Sequence, residues 1–207
     1  MKPHGLISDE WLVSYAAGAL PDAHALIVAT HAHYHPELQQ TISDAEYIGG
    51  SLMNNMEESA LSDGLLEDTL SKLDALAVVP VSTKPESTGT DTDIPDCLRD
   101  YLGRDLDDLK WRTMGPGMKH VKLATGENGE KLWLLRARGG TEIPEHDHNG
   151  TEMTLVLRGG YHVGSDHYTP GLIEIADTDI HDHQPIIDEG EDCICLLLQT
   201  PQSESKA

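Results

Sequence analysis

The spacing of apolar residues changes near the middle of the chain, and this change limits the fold more than any other feature. From Ser8 to about residue 77, apolar residues recur every three or four positions, as in the series Leu61, Leu65, Leu66, Leu70, Leu73 and Leu76. This spacing is typical of amphipathic helices. Beyond residue 97 the apolar runs are short or alternating and are separated by Gly-rich or Asp-rich turns, which indicates β-strands. We therefore expect two different folding units.

The boundary between these units is marked by composition. Residues 78–96, VVPVSTKPESTGTDTDIPD, are rich in Pro, Ser, Thr and Asp and have no periodicity, as expected for a flexible connector. We predict a helical domain over residues 1–77, a linker over 78–96 and an all-β domain over 97–207. With 207 residues, the chain is long enough for each domain to bury a core.

The predicted class is α+β, with a small helical bundle followed by a β-sandwich or barrel. Helices are predicted from Ser8 to about Gly18, over 23–32, from Pro36 onward and over 61–76, because start and stop signals flank the periodic segments. The predicted strands are HVKLAT, KLWLLRAR, TEMTLVLRG, GLIEIA and CICLLLQ. The stretch YHVGSDHY is interpreted as turn-rich, with His162 and His167 exposed or in a supporting role. Strand periodicity places Cys193 and Cys195 on one face, as buried inert thiols or, alternatively, a redox pair.

Net charge excludes several kinds of partner. The chain has 36 acidic and 14 basic residues, for a formal charge of -22, which repels nucleic-acid backbones and anionic lipid surfaces. A partner with a basic surface is compatible with this charge. The sequence contains no run of about 18 apolar residues and no signal-peptide pattern, and its three cysteines do not form a disulfide framework. We therefore expect a cytoplasmic protein that does not bind membranes.

The segment GTEIPEHDHNGTEMTLVLRG, residues 140–159, carries the clearest chemical signal. His146 and His148 are two residues apart and share a strand face, and Glu152 returns on the next segment after the turn at Asn149 and Gly150. Imidazole and carboxylate together suit Zn, Fe, Mn or Ni. These three side chains are therefore predicted to bind a divalent metal.

The spacing of this segment resembles the first motif of the cupin superfamily. The resemblance implies a double-stranded β-helix for the C-terminal domain and a fourth metal ligand from a later strand. In IEIADTDIHDHQP, His183 or His181 can supply that ligand, and His183 is preferred because a proline follows two residues later. The second cupin motif is otherwise loose here. We expect zinc, with manganese, iron or nickel as alternatives.

A second histidine cluster lies in the N-terminal half, in VATHAHYHPELQQ. His31 and His35 are four residues apart, a spacing at which two side chains on one helical turn can hold one ion. The segments SDEWLVSYAAGALPDAHALIVATH and AEYIGGSLM resemble the N-terminal domain of the ChrR family. That resemblance implies a cytoplasmic zinc protein that binds and inhibits an extracytoplasmic-function sigma factor and carries a C-terminal cupin domain.

The zinc motif of the ChrR family is only partly present. The family pattern is an early His, followed later by His, three residues, Cys, two residues and Cys. This chain keeps His31, but the two cysteine positions hold His35 and Leu38, and Leu6 stands near the position of the early His. The hypothesis for a second zinc site therefore uses His4, His31, His35 and Glu37. The alternative is that these histidines pack and form hydrogen bonds at the helix junction.

Three functions follow from these patterns. The first is a ChrR-like anti-sigma factor, in which the helical half binds the sigma factor and the cupin half receives singlet oxygen or an organic hydroperoxide as its signal. The second is a metal-dependent cupin enzyme, such as a dioxygenase or an isomerase, with a helical appendage and no catalytic base at a motif position. The third is a module whose metal binds a small ligand without turnover. We prefer the first.

Overall fold

The computed structural model describes residues 4–75, 94–147, 149–178 and 183–201. Most of the predicted linker and residues 202–207 lie outside the described residues. The described helices are α1 (Asp9–Ala16), α2 (Asp22–His33), α3 (Pro36–Met53), α4 (Leu65–Ala75) and α5 (Asp96–Leu102). The strands are β1 (Arg112–Gly115), β2 (Met118–Thr125), β3 (Lys131–Ala137), β4 (Gly150–Arg158), β5 (Tyr161–Val163), β6 (Asp166–Tyr168), β7 (Ile173–Ala176), β8 (Ile186–Ile187) and β9 (Cys193–Pro201).

The strands form two antiparallel sheets. One has six strands in the order β1-β2-β3-β9-β4-β7, and the other has three in the order β6-β5-β8. Isolated bridges between Glu142 and Ile186 and between His146 and His183 extend the small sheet. The predicted class, helices followed by a β-rich cupin domain, is confirmed.

Both faces of the six-stranded sheet are covered. Along β9, Ile194, Leu196 and Leu198 pack in the core that contains the helices, whereas Cys193, Cys195 and Leu197 point to the opposite side. Alternate residues of a strand point to opposite faces, so a continuous apolar run such as CICLLL is what two covered faces require. The expectation that Cys193 and Cys195 share one face is confirmed, since their Sγ atoms are 3.5 Å apart.

The helical half and the sheet share one hydrophobic core. Leu12 of α1 and Ile27 of α2 belong to the same buried cluster as Leu132, Leu155 and Leu196 of the sheet. α2 is buried around most of its circumference because α1 and α3, α5 and β9 all contact it. The first three helices also contact one another, so the helical bundle packs on the sheet and shares its core.

The stretch interpreted as turn-rich is in fact a hairpin. β5 and β6 pair antiparallel, with His162 opposite His167, and two residues including Gly164 (φ +59°) connect them. A two-residue loop requires positive φ, which glycine adopts without strain. Each strand has only three residues, which is too short for alternation to stand out in the sequence.

Candidate metal centre

A cavity of about 660 Å³ lies between the two sheets, and the C-terminal candidate ligands line it. Its polar lining includes His146, Glu152 and His183, and its apolar lining includes Trp133 and Leu135 of β3. Of the predicted ligands, His148 lies outside the described residues, as does the alternative His181. The structure therefore brings three of the four predicted ligands to one cavity.

His146 and His183 lie beside each other in the wall of this cavity, with ring centroids 5.0 Å apart. Nδ1–H of His146 donates to the Pro144 carbonyl at 2.9 Å, so Nε2 of His146 keeps its lone pair. That Nε2 lies 3.5 Å from Nδ1 of His183. The backbone N–H of His146 also donates to the His183 carbonyl at 3.1 Å, which fixes the two segments relative to each other. The two imidazoles are thus arranged to share one cation.

Glu174 of β7 orients His183 and was not predicted as a site residue. Nε2–H of His183 donates to Oε1 of Glu174 at 2.9 Å, and the Tyr161 hydroxyl donates to Oε2 at 2.7 Å. Metal-ligating histidines usually donate their second ring N–H to a carboxylate in this way. Glu174 is buried. It stands between two isoleucines, so the sequence was equally compatible with a Glu174 side chain that points to solvent.

The charges around His183 favour its protonated form. Burial alone would lower the pKa of His183, but the hydrogen bond and negative charge of Glu174, together with the charge of Glu152, raise it above its ordinary value. A cation is therefore electrostatically favoured at this position. A divalent metal bound by His183 would interact with the same two carboxylates.

Glu152 is held in place by its neighbours on the same sheet. Gln199 of β9 donates to Oε2 of Glu152 at 2.7 Å, and the Thr154 hydroxyl lies 3.4 Å from Oε1. The register of β4 and β9 places Glu152 directly opposite Gln199, so this contact follows from strand pairing. The donor set of two imidazoles and a carboxylate fits a first-row divalent metal.

Comparison with known proteins agrees with both halves of the chain. Residues 101–202 match the family model for the ChrR cupin-like domain. The anti-sigma-E factor ChrR of Cereibacter sphaeroides is 40% identical over 191 residues, which cover 92% of this chain and 86% of that protein. The chain belongs to the ChrR family. The solved structure of Rhodobacter sphaeroides SigE in complex with the anti-sigma ChrR matches with 37% identity and a TM-score of 0.79, covering 96% of this chain and 98% of that chain.

The position of the family zinc motif in the helical half contains only part of the expected donors. The rings of His31 and His35 are 4.8 Å apart, and Nδ1 of His35 lies 3.6 Å from a carboxylate oxygen of Glu37. Leu38 and Ile7 are buried in the shared core beside this pair, where side chains without metal-binding atoms fill the space. His4 instead contacts the Tyr168 ring at 4.7 Å and lies 3.9 Å from Asp166.

His31 and His35 make protein contacts that suit an uncharged pair. Burial, together with the neighbouring His35, lowers the pKa of His31 to about 4. His31 accepts a long hydrogen bond of 3.5 Å from the Ile7 backbone N–H, and His35 donates from Nε2 to the Gly171 carbonyl at 2.7 Å. These contacts agree with the alternative in which the histidines join the helices to the cupin sheet. At the position of the ChrR zinc motif, His31 and His35 therefore supply two nitrogen donors, and the two cysteines of the motif are absent.

No helix of the described segments combines the length and hydropathy needed to span a membrane.

Proposed function

We propose that this chain is a cytoplasmic anti-sigma factor whose helical half binds an extracytoplasmic-function sigma factor. The observation that carries the proposal is a set of large apolar residues on α3 and α4 that the chain itself leaves exposed. The ChrR protein of the solved complex binds the sigma factor SigE, and its fold covers nearly all of this chain. The enzyme alternative is not favoured by membership of the ChrR family.

The exposed apolar residues occur at helical spacing. They are Tyr47, Ile48, Leu52 and Met53 on α3 and Leu65, Leu66, Leu70 and Leu73 on α4. α4 has no buried residue, and an isolated helix of 11 residues is only marginally stable in water. Large exposed apolar patches usually indicate a binding surface. We infer that a partner covers α4 and the C-terminal half of α3 and stabilises both.

The charge of the helical half indicates the chemistry of that partner. Residues 4–75 contain twelve acidic residues and a single lysine, Lys72. This surface complements a basic protein, and the DNA-binding surfaces of sigma factors are basic. Charge complementarity of this kind raises the association rate more than the affinity. Apolar contacts from α3 and α4 would provide most of the affinity.

Co-purification with the neighbouring sigma factor tests this proposal. The wild-type chain should retain the sigma factor, and the triple variant L66A/L70A/L73A should bind about 100-fold more weakly, if each truncation costs on the order of 1 kcal/mol. Tyr101→Ala, on the exposed surface of α5, is the matched control and should bind like the wild type. Equal binding by the triple variant would refute the assignment of this surface.

We further propose that the cupin cavity holds a divalent metal, zinc before manganese, iron or nickel, through His146, His148, Glu152 and His183. A metal there would supply Lewis acidity to a molecule that enters the cavity. Glu174 keeps His183 oriented, and Pro144 fixes the tautomer of His146. The experiment is metal analysis of the full chain, in which His146→Ala should lose about one equivalent and His33→Ala none. Unchanged metal content in His146→Ala would contradict the ligand assignment.

For the helical half, the hypothesis to test is a zinc site of His4, His31, His35 and Glu37. The cysteine positions of the family motif hold a histidine and a leucine, so any ion would be bound by nitrogen and oxygen alone. Zinc analysis of His35→Ala, in the full chain, tests it. A fall in zinc content in His35→Ala that is separate from the fall in His146→Ala would support the site. Unchanged zinc content in His35→Ala would favour a packing role for these histidines.

β7 links the cavity to the helices and suggests how a signal reaches the sigma-binding half. The Ile173 backbone N–H donates to the Gly5 carbonyl at 2.9 Å, and the neighbouring Glu174 contacts His183 inside the cavity. Two residues before Ile173, the Gly171 carbonyl accepts a hydrogen bond from His35. We propose that an oxidant signal, singlet oxygen or an organic hydroperoxide, acts at the cavity and is transmitted through this strand. Substitutions in β7 should then alter release of the sigma factor without altering its affinity in unstressed conditions.

A further inference from the structure

A second group of potential metal ligands lies on the outer face of the small sheet. His162 of β5 and His167 of β6 are opposite each other in the hairpin, and Asp188 follows β8 directly. β8 pairs Ile186 with His162, so Asp188, two residues later, points to the same face as both imidazoles. The adjacent residues Tyr161 and Ile187 point the other way and line the cavity. The group is therefore separate from the cupin site.

The three side chains are already in contact. Oδ1 of Asp188 lies 2.9 Å from Nδ1 of His162, and Oδ2 lies 2.8 Å from Nε2 of His167. The two imidazole rings are stacked, with centroids 4.0 Å apart and planes inclined by 3°. One nitrogen from each histidine and a carboxylate oxygen all lie within 4.8 Å of one another. Rotation of the two stacked rings toward the carboxylate would let all three bind one ion at ordinary ligand distances of about 2.0 to 2.2 Å.

The backbone around Asp188 and Gly160 allows this close arrangement of side chains. The Asp188 N–H donates to the Gly160 carbonyl at 3.0 Å, and the Asp188 carbonyl accepts from the Gly140 N–H at 3.2 Å. A Cβ added to Gly160 would lie 2.5 Å from Oδ2 of Asp188 and 3.3 Å from Nε2 of His167. Any side chain at position 160 would therefore displace the ligand atoms. The Asp188 backbone is thus held from both sides, and the side chains of Asp188 and His167 occupy the space beside Gly160.

We propose that His162, His167 and Asp188 form an exchangeable surface site for a divalent ion of the zinc class. Two imidazoles and one carboxylate are a donor set for zinc and similar first-row ions, and three protein ligands leave a position for water. The histidine side chains are 49% and 43% exposed and that of Asp188 is 29% exposed, so the ion exchanges directly with solvent. The site does not depend on the proposed sigma-factor binding.

Titration of the full-length chain with Zn²⁺ against a chromophoric chelator tests this site. The wild type should bind one zinc equivalent that is lost, or weakened at least about tenfold, in both His162→Gln and His167→Gln. His33→Gln, which changes an exposed histidine on α2, should bind like the wild type. His146→Gln should remove a different zinc equivalent. A double variant of His146→Gln and His167→Gln should lose both equivalents. Circular dichroism without zinc should show the same fold for all variants.

If His162→Gln and His167→Gln bind as many zinc equivalents as the wild type, with the same affinities, then Asp188 only bridges two hydrogen-bonded imidazoles and the site does not exist. Gly160→Ala gives a second measurement that removes none of the three ligands but pushes the Asp188 carboxylate out of position. It should weaken the same zinc equivalent, and wild-type affinity in that variant would also contradict the proposal.

Discussion

Replacing Glu174 by glutamine should weaken the cupin metal site without removing any of its ligands. The carboxylate of Glu174 accepts from His183 at 2.9 Å and from Tyr161 at 2.7 Å, and it is buried. Glutamine keeps the size of the side chain but removes the negative charge that favours a cation beside His183. Loss of such a supporting partner lowers metal affinity about 10- to 100-fold, which corresponds to about 1.4 to 2.8 kcal/mol.

The assay is competition for zinc between a chelator of known affinity and the full chain. The control is Glu142→Gln, which removes an exposed carboxylate close in sequence to residues that line the cavity. It should leave zinc affinity unchanged, which separates the specific effect of Glu174 from a change in overall charge. Tyr161→Phe should reduce the affinity less than Glu174→Gln, because it removes one hydrogen bond and no charge. Wild-type affinity in Glu174→Gln would refute the idea that His183 binds metal with Glu174 as its support.

Two further predictions concern the contact between the helices and the cupin sheet. Burial lowers the pKa of His31 from 6.5 to about 4. Between these pH values the imidazole binds a proton in the unfolded chain but not in the folded chain. The folded state therefore loses up to about 3 kcal/mol of stability as the pH falls from 6.5 to 4. In chelator-treated protein, the difference in unfolding free energy between wild type and His31→Gln should therefore shrink from pH 7 to pH 4.5, and a constant difference would contradict a buried neutral imidazole. Gly171→Ala should destabilise the chain by about 1 to 3 kcal/mol in urea unfolding, because φ is +90° and the added Cβ would lie 2.9 Å from Cβ of Tyr34. Gly18→Ala, at φ +64° with no atom within 4 Å, should cost less, and equal costs would mean that the Tyr34 contact is unimportant.

The long elements of this fold could be predicted because their periodicity is strong. The predicted second helix, residues 23–32, corresponds to α2 (Asp22–His33), and all five predicted strands exist. β8 has only two residues, and α5 contributes one buried leucine, Leu98, so neither element carries a pattern that can be recognised in sequence. The short hairpin of β5 and β6 was missed for the same reason.

Two features of the site depend on tertiary contacts that a linear pattern does not contain. Glu174 is buried while the adjacent Ile175 is 38% exposed, although isoleucine is usually buried and glutamate exposed. This reversal occurs because the cavity lies on the side of β7 to which Glu174 points. The shared core of helices and sheet was also not predicted, because periodicity shows that a helix has an apolar face but not what covers it. His146 and Glu152 were predicted from spacing alone and do line one cavity.

The central claim is that this chain sequesters a sigma factor through its helical half. Transcription in vitro, with core RNA polymerase, the neighbouring sigma factor and a promoter recognised by that factor, tests it most directly. The wild-type chain should abolish transcription at about one equivalent per sigma factor, and L66A/L70A/L73A should need a large excess to do so. Full transcription in the presence of excess wild-type chain would contradict the account.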